Sequence, residues 1–168
     1  MINLVAIVSD DRRVKGWSAE GRRRDLVARF AGWHKDARAL IAAPQTWQRW
    51  SLYDRPLPHP WGAGPVTLLG DAAHPMLPFL AQGGAMAIED ATVLAACLAR
   101  QSEDPAVALR NYEGLRRRRN ARAQHNARRN GRVYHLKGPA ALARDLTLKL
   151  MGGSNLLRRY DWLYDWRP

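Results

Sequence analysis

Between Pro65 and Arg100 the sequence passes through an order of residue types that few local structures accommodate. An apolar run, Pro65-Val-Thr-Leu-Leu69, stops at Gly70-Asp71; a loop with Pro75, Pro78 and Gly83 follows; then an Ala- and Leu-rich stretch runs from about Gly84 to Arg100. This spacing predicts a strand, a loop and a helix in that order. Small residues at 70, 72 and 73 let backbone come close to a ligand, Asp71 at the strand end can accept hydrogen bonds from hydroxyls, and Gly83-Gly84 present bare amides where a helix begins. Amides and helix dipole together favour negative charge at that point.

The flanking chain is punctuated as clearly. Three prolines within Pro56-Leu-Pro-His-Pro60 can continue neither a helix nor a central strand, and mark the best internal boundary. Before it, residues 3–8 (Asn-Leu-Val-Ala-Ile-Val) read as a short buried strand with no evident partner nearby. Glu20 to Phe30 reads as an amphipathic helix stopped near Gly32, His34 to Ala42 as a second helix, and Thr46 to Tyr53 as a half-buried strand. After it, Asp104-Pro105 is a strong helix start, and that helix is expected to reach Asn130, with Gly131 closing it. Leu142 to Leu150 suggests one more helix, and Trp162, Tyr164 and Trp166 form an aromatic tail. The expected segments are 1–60, a partial substrate-side sheet with helices; 61–100, the strand, loop and helix around Gly70-Asp71; and 101–168, a helical region.

From Gly70-Asp71-Ala72-Ala73-His74-Pro75 onward the sequence resembles the class A flavoprotein monooxygenases, the FAD-dependent aromatic hydroxylases, and looks most like their salicylate-hydroxylase branch. The likeness extends through Gly32-Trp33-His34, Trp50 to Arg55, Tyr112-Glu113 with the arginines that follow, Asn130-Gly131, Tyr134-His135-Leu136 and Asp161-Trp162-Leu163-Tyr164. It implies an α/β (α+β) fold class: the C-terminal part of a two-domain flavoprotein, helix-rich with a few strands. It further implies FAD as cofactor, NAD(P)H as reductant and a small aromatic substrate. By resemblance, Asp71 of the Gly70-Asp71 pair would bind the ribityl hydroxyls, Pro78 would lie beside the flavin, and the amides following Gly83, at Gly84 and Ala85, would face flavin N1 and O2. No catalytic residue and no metal ligand is assigned.

Two departures from the family pattern stand out. Its opening Gly-x-Gly-x-x-Gly turn and its middle Asp-Gly motif do not occur here, so the N-terminal Rossmann unit is expected to be lacking and the chain truncated, binding FAD weakly and not turning over alone. Gly84 stands where a bulkier or polar residue is common; its amide is still on offer.

Several residues have plainer readings. His74 could act as a general base, but with no carboxylate identifiable nearby it is expected to be a loop histidine bonded to backbone. Asp90, on a largely apolar helix face, calls for an arginine or backbone amides as partner, and Cys97 reads as a small core residue. The tryptophans are more simply packing anchors than a substrate pocket.

The chain carries 27 Lys and Arg against 15 Asp and Glu, net +12, with only four lysines. Arg116 to Arg119 with Arg122, Arg128, Arg129 and Arg132 therefore supports an alternative reading, a non-catalytic basic protein that binds nucleic acid through this helix. Four consecutive arginines point around the whole helix, which favours a solvated or domain-contacting helix over a phosphate-tracking stripe. A single cysteine fits a reduced cytoplasmic setting, and no stretch is apolar for the roughly 20 residues that a membrane span needs. The partners expected are FAD and a small aromatic substrate, with a homodimer left open and neither membrane nor nucleic acid.

Overall fold

The computed structural model describes residues 3–10 and 16–167. It is helix-rich, and its chain divides into two compact units, Met1–Leu52 and Tyr53–Pro168.

In the first unit, strand β1 (Ser18–Gly21) pairs antiparallel with β2 (Trp47–Trp50), with Ser18 opposite Trp50 and Gly21 opposite Trp47. A Cβ on Gly21 would lie 3.1 Å from that of Trp47, so the glycine admits the tryptophan at the closing pair of the ladder. Helices α1 (Arg23–Arg29) and α2 (Lys35–Ala42) connect the two strands along the chain. The helix expected over Glu20 to Phe30 thus starts later, at Arg23, because Ser18–Gly21 is committed to the ladder, and it closes at its Phe30 cap as the sequence suggests. Phe30 is buried there, edge-on to Trp33 at 4.7 Å between ring centroids. The strand expected at 3–8 is not formed: among the described residues nothing pairs with it, and Val5 is 73% exposed. Apolar composition alone does not make a strand where no edge is available.

The second unit is built on two long helices, α3 (Gly83–Arg100) and α4 (Pro105–Tyr134). Asp104 caps α4 as its sequence suggests, its Oδ1 accepting the Val107 amide at 3.1 Å. The helix runs past the expected stop at Gly131, which is buried inside its last turns against Phe79. Helix α5 (Gly138–Arg158) is broken at Gly152, where φ is +69°, and α6 (Asp161–Tyr164) follows. Leu142, Leu146, Leu150 and Leu157 of α5 are all exposed.

The core lies between α3 and α4 in two clusters. Trp61, Ala73, Cys97, Ala108 and Tyr112 form one; Leu80, Met86, Ala123, Ala127 and Leu163 form the other. Full burial of Met86 alone contributes about 1.5–3 kcal/mol.

The strand expected at Pro65–Leu69 is replaced by an irregular segment with one bridge, Ala63 to Val66. Its polar groups are taken by side chains of α4 instead of a neighbouring strand. Arg110 donates to the Val66 carbonyl at 2.9 Å, Thr67 donates its hydroxyl to Glu113 at 2.6 Å, and the Tyr112 hydroxyl donates to the Leu68 carbonyl at 3.3 Å. Backbone satisfied in this way needs no ladder.

Candidate functional site

The loop between Leu69 and α3 holds its shape through two 3-10 turns, Gly70–Ala72 and Pro78–Leu80. Gly70 is buried and has φ +58°, a conformation that suits glycine, and a Cβ there would lie 3.2 Å from that of Ala87 on α3. The turn therefore packs its backbone directly on the helix. Asp71, the next residue, is exposed. At the other end of the loop Ala81 adopts the left-handed conformation, φ +53°, which is costly for a residue with a Cβ.

Helix α3 begins at Gly83 with no side chain capping it, and Met86 is the first residue whose amide bonds back, to Gln82 at 2.9 Å. Among the described residues the amides of Gly83, Gly84 and Ala85 meet no protein acceptor. A Cβ on Gly83 would be 3.8 Å from Asp71 Oδ1, while one on Gly84 would meet nothing within 4 Å. The structure thus brings Asp71 beside the open amino end of α3 and leaves free space over Gly84. Pro78 is exposed at the start of its turn, and no hydrogen bond ties it to Asp71, Gly83 or Gly84 among the described residues.

Behind this surface lies a buried polar cluster. Asp90 Oδ2 is 2.5 Å from His74 Nε2 and accepts the Gly70 amide at 3.2 Å; Oδ1 accepts Arg116 Nε at 2.7 Å and the Asn120 amide at 3.0 Å. Burial by itself would push the Asp90 carboxyl up; the hydrogen bonds from His74, Asn120 and Arg116 outweigh it and hold the pKa at about 2. Glu89 pairs with Arg116 at 2.8 Å and with both ends of the Arg119 fork at 2.6 and 2.7 Å. Two carboxylates from α3 and two guanidiniums from α4 so neutralise one another.

The same α4 face holds the loop further along. Gln124 donates to the carbonyls of Arg55 and Pro75, at 2.9 and 2.7 Å, and Asn130 to that of Phe79 at 3.2 Å. Arg55 in turn donates to the Ala72 carbonyl.

His74 is therefore not the backbone-bonded loop histidine expected from the sequence. It is fully buried and carries a carboxylate partner, which α3 brings back over the loop 16 residues later. Asp90 has the arginine and the backbone amide that its apolar surroundings called for. The arginine run is partly solvated, with Arg118, Arg129 and Arg132 exposed, and partly engaged in contacts. Arg116 and Arg119 are taken by acids and by the Trp162 and Leu163 carbonyls, Arg122 lies 3.9 Å over the Trp162 ring, and Arg128 is held by Asp54. These four are thereby drawn away from a phosphate-tracking stripe.

A separate open groove of about 540 Å³ is lined by Cys97, Arg100, Gln101, Arg110, Asn111, Gly114 and Leu115. At about 1.5 Å per residue, Cys97 lies roughly 20 Å along α3 from Gly84, so this groove is remote from the Asp71 turn.

A family model described as FAD binding domain matches residues 2–128. The chain belongs to the FAD binding domain family. Among curated relatives of the chain is 3-amino-4-hydroxybenzoate 2-monooxygenase PtnB3 of Streptomyces platensis, 44% identical over 149 residues that cover 88% of this chain and 37% of that protein. Another is 3-hydroxybenzoate 6-hydroxylase of Klebsiella oxytoca, 38% identical over 166 residues, 98% of this chain and 42% of that one. The chain thus spans about two fifths of the length of these relatives. In fold it matches a structure described as a salicylate hydroxylase substrate complex, with a TM-score of 0.75 and 24% identity over 95% of this chain and 38% of that one. Among the described residues no helix is long and apolar enough to cross a membrane.

The open amides and the neighbouring carboxylate fit the isoalloxazine and ribityl parts of FAD. An exposed acceptor lies beside exposed donors at a positive helix end, with unfilled space above Gly84.

Proposed function

We propose that the chain forms the flavin-contacting part of a FAD-dependent, NAD(P)H-consuming monooxygenase that hydroxylates a small aromatic acid. The observation that carries this reading is the placement of Asp71 against the uncapped amino end of α3, in a chain of the FAD binding domain family. Relatives named for hydroxybenzoate substrates support the substrate class, and a chain of net charge +12 favours an anionic ring compound.

In this reading Asp71 accepts hydrogen bonds from the ribityl hydroxyls. The amides of Gly84 and Ala85 face flavin N1 and O2, where unpaired donors at a helix start stabilise the negative charge of the reduced ring. Gly70 and Gly83 let backbone and ligand approach each other, and exposed Pro78 borders the ring. Bound FAD supplies the redox and oxygen chemistry; the residues bind it, orient it and set its electrostatic surroundings.

The test is to titrate FAD with the full chain while following flavin absorbance and fluorescence. A saturable spectral change that Asp71→Ala weakens is expected. Flavin spectra indifferent to the chain would overturn the proposal.

A further inference from the structure

The residues that would meet the flavin are held by one that would not touch it. Asp90 is fully buried, and its four closest hydrogen-bond partners are donors: the Gly70 amide and His74 on Oδ2, Arg116 and Asn120 on Oδ1. An ionised carboxylate accepts and never donates, so it satisfies all four; an amide in its place would aim an N–H at one of them.

Two of the four donors belong to the turn that carries Asp71. Gly70 immediately precedes it, and His74 follows three residues later. The other two, on α4, keep the carboxylate from rotating away. Asp90 itself rides on α3, two turns from the amino end whose free amides flank Asp71. Carboxylate turn and amide end are therefore referred to a single anchor, and Gly70 packs closely on Ala87, where a Cβ would come within 3.2 Å.

We infer that Asp90 is a positioning residue for the cofactor. Resting on the flavin reading above, it sets the Asp71 carboxylate against the amino end of α3, and it acts through Gly70 and His74 rather than through the ligand.

A double-mutant cycle on the full chain tests this, with the FAD dissociation constant as readout and far-UV and near-UV circular dichroism confirming the fold. Asp90→Asn should weaken FAD binding about tenfold in the parent chain, but less than about twofold where Asp71 is already Asn, because the anchored carboxylate is then gone. Equal losses in both backgrounds would make Asp90 a general support and overturn the inference, as would no loss in either.

His74→Leu removes one tether while leaving the Asp90–Arg116 pair in place. It should show the same non-additive pattern and decides the matter if Asp90→Asn does not fold. A parent chain that leaves FAD spectra unchanged would overturn the flavin reading and the inference with it. That outcome is distinct from one in which the parent binds and the cycle is additive.

Discussion

Phe79 rests on Gly131: a Cβ built at the glycine would come within 2.6 Å of the ring. Helix propensity favours Ala over Gly by about 1 kcal/mol, whereas forcing an extra carbon into a packed contact costs about 1–3 kcal/mol. The ring has edge contacts of its own, with Tyr134 and His135 at 6.2 and 5.6 Å between centroids. The contact term should win. Gly131→Ala is expected to lower the unfolding free energy by up to about 2 kcal/mol in urea denaturation. An unchanged or higher midpoint would show instead that the ring swings aside.

Ala81 presents the opposite case. It is the one non-glycine residue with positive φ among those described, and L-residues pay roughly 1–2 kcal/mol for that conformation. Ala81→Gly should raise stability by about 1 kcal/mol, the relief of strain exceeding the added freedom of the unfolded chain. A fall in thermal midpoint would contradict this.

Asp90 makes stability depend on acid. Its native pKa of about 2 lies below the ordinary value of 3.8. A carboxyl lowered on folding contributes stability that is complete above about pH 4 and is lost as pH falls through about 2. The difference corresponds to about 2 kcal/mol. The parent chain should lose that much more than Asp90→Asn between pH 5 and pH 2. Parallel pH profiles for the two proteins would refute the assignment of this term to Asp90.

Asp71 is exposed, so its replacement should separate binding from folding. Asp71→Ala is expected to weaken FAD binding by about 1–3 kcal/mol, the cost of losing charge-assisted hydrogen bonds, with an unfolding midpoint close to the parent's. A variant that retains FAD fully would count against a role for this carboxylate.

The local punctuation of the chain is legible in its sequence. Glycines and prolines place the turn ahead of α3, and Asp104-Pro105 marks the start of α4 because a cap acts within three residues of itself. What escaped reading was the buried face of α4. It runs through Ala108, Tyr112, Arg116, Asn120, Gln124, Ala127 and Gly131, a stripe of helical spacing whose middle is polar, and a search for apolar periodicity passes over it. Its partners lie on another helix. Adjacent Glu89 and Asp90 in an otherwise apolar stretch were the available signal that arginines would be needed, but not which ones. The segment at 65–69 misled for a related reason, since apolar composition announces burial without saying whether a strand or a row of side chains will satisfy the backbone.

Because Gly70, Asp90 and the free amides of Gly83 to Ala85 all refer to one helix, a tilt of α3 would carry acceptor and donors along together. The geometry offered to a guest molecule would survive small displacements of that rod, and only the distance to whatever faces it from elsewhere would change.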